Sequence, residues 1–412
     1  MTWMTQWSGG FPLALASAKG NKVTDVDGLT YIDFALGDTG AMAGHSPEPT
    51  VRAVTQRMAT LGGITAMLPT EDAEWVAEEL TRRFGLPKWS FTLSATDANR
   101  WAIRLARLAT GKSKLLVFSY CYHGSVDETL VIVGPNGQQM SRPDNVAPGV
   151  DPIETTRVVE WNDLAAVERE LAHGDVAAIL MEPALTNIGI VLPAPGFHEG
   201  LRELATKYGA LLMIDETHTI SAGPGGMTAR DGLIPDIFVI GKSIGGGIPC
   251  GAYGLSEEVA TSVRENAGAA GLGDVGGVGG TLAGNALSSA AMRATLGEVL
   301  TEAAFADMVA MATRYTADAE RIIVENDLPW SVTQLGARSE YRFVRPGPQN
   351  GGQSAAAADF ELDQYMHLFT LNRGILMTPF HNMALMCPVT STADIDHHSE
   401  VFAEAAADLV GR

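Results

Sequence analysis

The sequence predicts an α/β fold, with a large domain on a seven-stranded, mainly parallel sheet and a smaller α+β domain after it. Two observations carry this. Seven short runs, apolar on both faces, fall between residues 89 and 256, and most are separated by helical stretches. That is the pattern of a parallel sheet covered on both sides. After a glycine-rich segment, Gly268–Gly284, the composition turns to an Ala- and Met-rich helical stretch and then to isolated strands. The 412 residues leave room for such a division, at roughly 100–200 residues per domain.

In chain order, residues 20–34 come first. Alternating apolar residues flank Asp27-Gly28, a dipeptide suited to positive φ, and predict a β-hairpin. After the turn Gly44-His45-Ser46-Pro47, a helix is expected with Val51, Val54, Met58 and Leu61 on one face. A second helix, Glu71–Phe84, places acids early and Arg82-Arg83 late, as the helix dipole favours. The seven strand candidates are Trp89–Ser94, Lys114–Ser119, Arg157–Trp161, Ala177–Glu182, Ala210–Glu216, Ile237–Lys242 and Ala252–Ser256. Helices are expected between them at Asp97–Ala109, Leu164–Ala172 and Gly196–Tyr208. A long helical stretch then runs from Ala286 to Glu325, followed by strands near Ser339–Val344 and Ile375–Met377. A last helix begins near Ser391–Thr392, and Gly347–Ala358 reads as a polar, mobile loop.

Charge and composition exclude several functions. With 28 basic and 48 acidic residues the formal net charge is −20, the wrong sign for a nucleic-acid binder. No stretch is long and apolar enough to predict a membrane span, and Phe11–Ala18 is too short, with no preceding Lys or Arg, for a secretion signal. Cys121, Cys250 and Cys387 are too far apart for a metal knuckle, so no metal is expected and a reducing cytoplasm fits. Two nucleotide signatures also fail. Ala109–Ser113 ends like a phosphate loop but has Ala106 where the first glycine belongs, and Gly271–Gly276 matches G-x-G-x-x-G with no strand before it.

The polar residues at the strand ends tell more, because open α/β sheets bind ligands there. They are Ser94-Ala95-Thr96, His123-Gly124, Glu182, Asp215-Glu216 and Lys242. The Ser94–Thr96 turn opens a helix and is suited to a phosphate, although a plain N-cap explains it as well. Asp215 ends a very apolar strand, so its carboxylate should face a cation or a protonated ring nitrogen. Only seven of the basic residues are lysines, and Lys242 alone closes a core strand, with uncharged, Gly-rich sequence after it. That makes it a candidate for Schiff-base chemistry. Lysine, buried aspartate and phosphate cradle together suit pyridoxal 5'-phosphate.

On these residues the chain resembles the class III (ω-type) aminotransferases, in the glutamate-1-semialdehyde aminomutase-like branch. The matching stretches run from Gly20 to Asp396. They include the D-x-D-G-x-x-Y-I-D hairpin, Ser94–Ala98, Cys121–Gly124, Met181-Glu182-Pro183 with Asn187, Ile214–Thr217, the Pro235–Ala252 run and Gly280–Asn285. The resemblance implies a fold-type-I pyridoxal-phosphate enzyme with an N-terminal segment, 1–48, packing on a small C-terminal domain, 301–412, and a cofactor-binding domain at 49–300. It implies that Lys242 forms the Schiff base and shuttles the proton, while Asp215 holds the pyridinium nitrogen. Ala95 and Thr96 would bind the phosphate and Tyr122 would stack on the ring. His123 and Glu182 would lie near the ring and Thr217 behind it. Thr281 would reach the phosphate of a neighbouring subunit, which implies a homodimer with shared sites.

This sequence departs from the family's pattern in three places. Ala95 replaces a glycine, and Thr217-His218 replace a common valine followed by Gln or Met. His218 reads as a packed histidine, with a polar cofactor contact as the alternative. The stretch before Gly280 lacks the gating-loop pattern of aminomutases. The expected reaction is therefore amino transfer from an amine or amino acid to a keto acid or aldehyde, with a 2,1-aminomutase as the alternative. Arg338 and Arg342 are candidates for a substrate carboxylate clamp, and a surface ion-pair ladder with Glu340 fits the same alternation. Asp38 falls where the family lines its substrate pocket and would favour an amino group. His397-His398 are expected on the surface of the last helix.

Overall fold

A computed structural model describes residues 13–267 and 277–411. The rejected glycine motif at 271–276 and residues 11–12 lie outside them. The hairpin forms as expected, from β2 (Lys22–Asp25) and β3 (Thr30–Asp33), and the apolar stretch before it contributes most of a further edge strand, β1 (Leu15–Lys19). The helix Glu48–Gln56 follows and runs on as one π turn, Arg57–Leu61. Its apolar stripe faces outward: Val51, Met58 and Leu61 are about half exposed or more, as are Met67 and Leu68 beyond it. The helix Glu71–Phe84 has the predicted bounds. Thr70 caps its start and Gly85 takes the left-handed conformation that ends it.

All seven expected strands form: β4 (Lys88–Thr92), β5 (Lys114–Phe118), then, after the small hairpin β6 (Val131–Val133) and β7 (Gln139–Ser141), β8 (Thr156–Val159), β9 (Val176–Met181), β10 (Leu211–Asp215), β11 (Ile237–Gly241) and β12 (Gly251–Leu255). Their order is β4-β12-β11-β10-β9-β5-β8. Only β12 runs against the others, pairing antiparallel with both β11 and β4. The strand ends that carry Thr92, Phe118, Met181, Asp215 and Gly241 therefore share one edge, and the polar residues that follow them meet there. The sheet is buried on both faces. β9, β11 and β12 have no exposed residue, and the helix Ala95–Thr110 lays Ala98, Ala102, Ile103 and Ala106 against it with none of their surface left to solvent.

The C-terminal part adds β13 (Ser331–Leu335), β14 (Arg338–Arg342), β15 (Ile375–Leu376) and β16 (Met383–Leu385). β15 pairs parallel with β3, and β14 lies between β13 and β16. Asp394, in the capping box of the last helix Thr392–Leu409, accepts from Asn21 and Lys22 of the N-terminal segment.

Four expectations need correction. The stretch Ala286–Glu325 is not one helix: it stops at Ala294, passes through a π turn, and restarts at Glu302 because the Thr301 side chain caps a new N-terminus. Within Gly347–Ala358, Asn350 caps a short helix, Gly351–Ala356, and Gly351 packs so close to the Ser119 carbonyl that a Cβ would lie 2.2 Å from it. His398 is buried, not exposed. It meets the Tyr315 hydroxyl at 3.2 Å, and burial, followed by the charge of His397, pushes its pKa down to about 3. Arg338, Glu340 and Arg342 form no surface ladder, because β16 and the cleft-side segments cover the whole of β14.

Candidate active site

Two adjoining cavities lie at the carboxyl edge of the sheet. The smaller, about 310 Å³, is lined by Ser94, Ala95, Thr96, Tyr122, His123, Asp215, Thr217, His218 and Lys242, among others. The larger, about 990 Å³, shares Tyr122 and Lys242 and opens past Asp38, His45, Arg142, Asn187 and His381. Lys242 and Tyr122 thus stand at the junction of the two.

The floor of the small cavity is a buried charge pair. Asp215 Oδ2 is 2.9 Å from His123 Nδ1 and accepts from Asn99 Nδ2 at 2.8 Å, while Oδ1 accepts the Thr217 N–H at 3.0 Å. Burial acts to raise the Asp215 pKa, but the hydrogen bond and charge of His123, with the bonds from Thr217 and Asn99, outweigh it and hold the carboxyl below its ordinary value. For His123, burial acts to lower the pKa, and Cys121 and Asp215 outweigh that, so it lies well above 6.5. An ionised aspartate here faces the cavity, ready for a protonated ring nitrogen. Thr217 stands buried beside it on the lining of the cavity.

The opposite wall is the N-terminus of the helix Ala95–Thr110, whose first amides are free of intrahelical bonds. Ser94 caps it by accepting from Asp97 N. Two close approaches hold this wall. A Cβ on Gly241 would come 2.9 Å from Ala95 Cβ, so alanine is accommodated at position 95 because its neighbour across the gap is glycine. Gly124, at φ +82°, lies so near Thr96 that a Cβ would fall 2.1 Å from Oγ1. An anion-binding cradle, a buried carboxylate and an amine around one cavity suit a phosphorylated pyridine aldehyde. Glu182, at the end of β9, accepts the Tyr122 N–H at 3.4 Å and bonds Thr186, and burial raises its pKa.

Lys242 projects between the cavities from a backbone at φ +51°, a left-handed conformation that a non-glycine residue adopts at a cost of roughly 1–3 kcal/mol. Its Nζ is 3.0 Å from both the carbonyl oxygen and Oδ2 of Asp38, and 2.7 Å from His218 Nε2. Asp38 sits in a loop where Leu36, Asp38 and Thr39 all have positive φ. Burial acts to raise its pKa, but Lys242, then His218, His381 and Arg338, drive it strongly down.

The two arginines expected at a substrate carboxylate behave otherwise. Arg338 is fully enclosed; one guanidinium nitrogen donates to Thr39 Oγ1 and reaches His218 Nδ1 at 3.3 Å. Arg342 donates to the Ser354 carbonyl. Neither lines these two cavities, whereas Arg142, which sequence reasoning missed, lines the larger one. Asn99 was also missed, although an asparagine on the buried Ala98–Ala102–Ala106 face of a helix is itself a signal of a buried polar partner. Thr281 is exposed on this chain and lines neither cavity.

Comparison with known proteins identifies the family. The model of the family "Aminotransferase class-III" matches residues 3–405. A glutamate-1-semialdehyde 2,1-aminomutase from Roseiflexus castenholzii is 35% identical over 376 residues, covering 90% of this chain and 84% of that protein. The crystal structure of a glutamate-1-semialdehyde aminomutase from Pseudomonas aeruginosa PAO1, a lysine-to-alanine variant in complex with PMP, superposes with a TM-score of 0.95 at 48% identity, covering 99% of this chain and 90% of that one. An ω-transaminase from Sphaerobacter thermophilus superposes with a TM-score of 0.88 at 28% identity, covering 99% and 94%. With its sheet order, its lysine after β11 and its buried aspartate at the end of β10, this chain belongs to the class-III aminotransferase family.

Proposed function

We propose that the protein is a pyridoxal 5'-phosphate enzyme that moves an amino group between adjacent carbons of one amino aldehyde, as a 2,1-aminomutase of the glutamate-1-semialdehyde type. The observation that carries this reading is the likeness, over nine-tenths or more of the chain, to proteins described by that activity. It is preferred over the net amino transfer that the sequence alone favours. The missing gating-loop pattern behind that preference lies largely in residues 268–276, outside those described.

Bound pyridoxal phosphate supplies an aldehyde carbon that takes up amines and a ring that delocalises charge. Each residue has a part in holding it or serving it. The helix N-terminus at Ala95 and the Thr96 hydroxyl would bind the phosphate, and Asp215, kept ionised by His123, would hold the proton on the ring nitrogen. Tyr122 would stack on the ring, with Glu182 near it and Thr217 behind it. Lys242 Nζ would hold the aldehyde carbon and would take and return the substrate proton. Asp38 orients an incoming amino group. The same reading places cofactor binding in residues 49–300 and a smaller domain in 301–412, with residues 1–48 packed on it; the β3–β15 pairing and the bonds to Asp394 support that division.

The test is direct. Glutamate 1-semialdehyde alone, with no external acceptor, should be converted to the isomer that carries its amino group on C1. Conversion that instead requires a separate keto acid would favour a two-substrate transaminase, a reading supported by the family and by the likeness to an ω-transaminase.

We also propose a homodimer. The outward stripe of Val51, Met58 and Leu61, with Met67, Leu68 and Leu282 also exposed, needs an apolar partner, and Thr281 stands beside it in sequence. Leu61→Asp with Met67→Asp should sediment as monomer and lose most activity; an unchanged dimer sinks the assignment.

A further inference from the structure

Among the described residues one lysine, Lys242, and one arginine, Arg142, line the larger cavity. Lys242 has an acceptor in Asp38, with Nζ 3.0 Å from Oδ2. The two histidines of the cavity are likewise engaged: His45 Nε2 lies 2.7 Å from Asp33 Oδ2, and His381 Nδ1 lies 3.3 Å from Glu340 Oε1. Arg142 differs. Its Nε meets Asp144 Oδ1 at 2.8 Å, but that carboxylate is two-thirds exposed, and an exposed pair of this kind holds weakly. The Arg142 side chain itself is only 15% exposed, and its Nη1 is buried with no acceptor among the described residues. A buried guanidinium N–H without an acceptor is destabilising, and an anion in the cavity would satisfy it.

The backbone fixes where this side chain starts. Arg142 directly follows β7, donates its N–H to the Leu130 carbonyl at 2.9 Å, and accepts from Asn145 N at 3.0 Å. The last contact closes a turn with Pro143 in second place, where the φ preset by proline belongs. The guanidinium carbon stands 5.9 Å from the centre of the Tyr120 ring, a cation–π contact that further limits its motion. With Nε held by Asp144, the Nη groups remain for a second anion. A guanidinium fork matches a carboxylate, which it can bind through two parallel N–H···O bonds.

We propose that Arg142 binds a carboxylate at the far end of the substrate while the substrate's amino group reacts beside Lys242. Arg142 is thus the residue that selects a carboxylate-bearing amino aldehyde over an uncharged one, a part that Arg338 and Arg342 do not fill because neither lines the cavity. The inference rests on the aminomutase reading above, whose substrate carries a carboxylate remote from its aldehyde and amine. The other acids of the cavity leave room for it. Asp33 and Asp38 have the partners named above, and Asp127 and Asp144 are exposed, where solvent and salt screen their repulsion. A contact remote from the reacting carbons acts equally on bound substrate and on transition state, so its loss raises KM and leaves kcat nearly unchanged.

The experiment uses full-length, cofactor-loaded protein and two substrates: glutamate 1-semialdehyde, and 2-aminopentanal, in which a methyl group replaces the carboxylate. In Arg142→Met, kcat/KM for the semialdehyde should fall about 10- to 100-fold, mostly through KM, as the loss of a charge-assisted contact implies. For 2-aminopentanal it should stay within about twofold of wild type or rise. Arg142→Lys, which keeps the charge without the fork, should lose less than Arg142→Met. Equal losses on both substrates, no loss on the semialdehyde, or a loss confined to kcat overturns the proposal. Should Arg142→Met not accumulate folded, the ratio of the two kcat/KM values in Arg142→Lys carries the test; it should fall below the wild-type ratio, and an unchanged ratio overturns the proposal. A wild-type protein that leaves the semialdehyde unconverted counts against the aminomutase reading instead. The arginine is then judged by the absorbance change of the bound cofactor with 5-aminopentanoate and with pentylamine. Wild type should respond to the acid at about tenfold lower concentration than to the amine, and Arg142→Met should respond to both alike. No difference between the two in wild type overturns the proposal.

Discussion

The floor of the small cavity and the mouth around Lys242 hold opposite kinds of charge in opposite ways. The floor takes Asp215 from the end of β10, Thr217 and His123 from the segments that follow β10 and β5, and Asn99 from one helix, and leaves them 5% exposed or less. The mouth takes Asp38, Thr39, His218, Lys242 and Arg338 from loops and from a strand of the C-terminal sheet. It bends the backbone to positive φ at Asp38, Thr39 and Lys242, and leaves the Lys242 and Asp38 side chains about a quarter exposed. The histidines invert accordingly: His123 is held as a cation beside a carboxylate, and His218 is held neutral by burial first and then by the neighbouring charges of Lys242 and Arg338. One region is rigid because a sheet fixes it and its charges match. The other is positioned by strain and by a balance of charges, as suits an amine that must let go and return.

The largest expected contrast is between two aspartate-to-asparagine changes. Asp215→Asn strands the His123 cation in a dry site and should cost about 3–5 kcal/mol of folding stability, as broken buried pairs do. Asp38→Asn removes an ion pair whose two partners still touch solvent, and should cost about 1 kcal/mol or less. Urea unfolding of the two variants reads both numbers. Equal losses would mean that the floor and the mouth are not held differently at all.

That division also explains what the sequence can and cannot disclose. Periodicity locates the seven strands and hence their shared edge, so every floor residue that ends a strand, Asp215 above all, is visible in the amino-acid pattern by itself. Asn99 is visible in principle, as a polar residue on an apolar helix face. Periodicity says nothing about which distant loop comes to rest on a strand end. Asp38 is placed only through resemblance. Arg338 and Arg342 fall on the expected cleft-side strand but have other neighbours, because alternation fixes a face and not what covers it. His218 reads as packed because nothing local shows that Thr39 and His218, 179 positions apart, share a hydrogen bond at 3.1 Å. Likewise the Val51–Leu61 stripe has core-like periodicity and lies outside, since sequence patterning does not distinguish a surface covered by the chain's own core from one suited to a second copy.

The smaller contrast is in pH. His123 has its folded pKa above the unfolded value of about 6.5, so its stabilising contribution is complete below that value and is lost as pH rises from it towards the folded pKa. His218 has its folded pKa below the same value, so the folded state binds fewer protons than the unfolded one, and its contribution is complete above about 6.5 and is lost as pH falls. Each slope has an upper limit of about 1.4 kcal/mol per pH unit. Relative to wild type, His123→Gln should therefore flatten the stability curve on the alkaline side of about pH 6.5, and His218→Gln should flatten it on the acid side. Unfolding free energies across about pH 5–8 separate the two, because the effects lie on opposite sides of one point. If both variants flattened the same limb, the two histidines would carry the same charge, and the contrast between a paired floor and a balanced mouth would be lost.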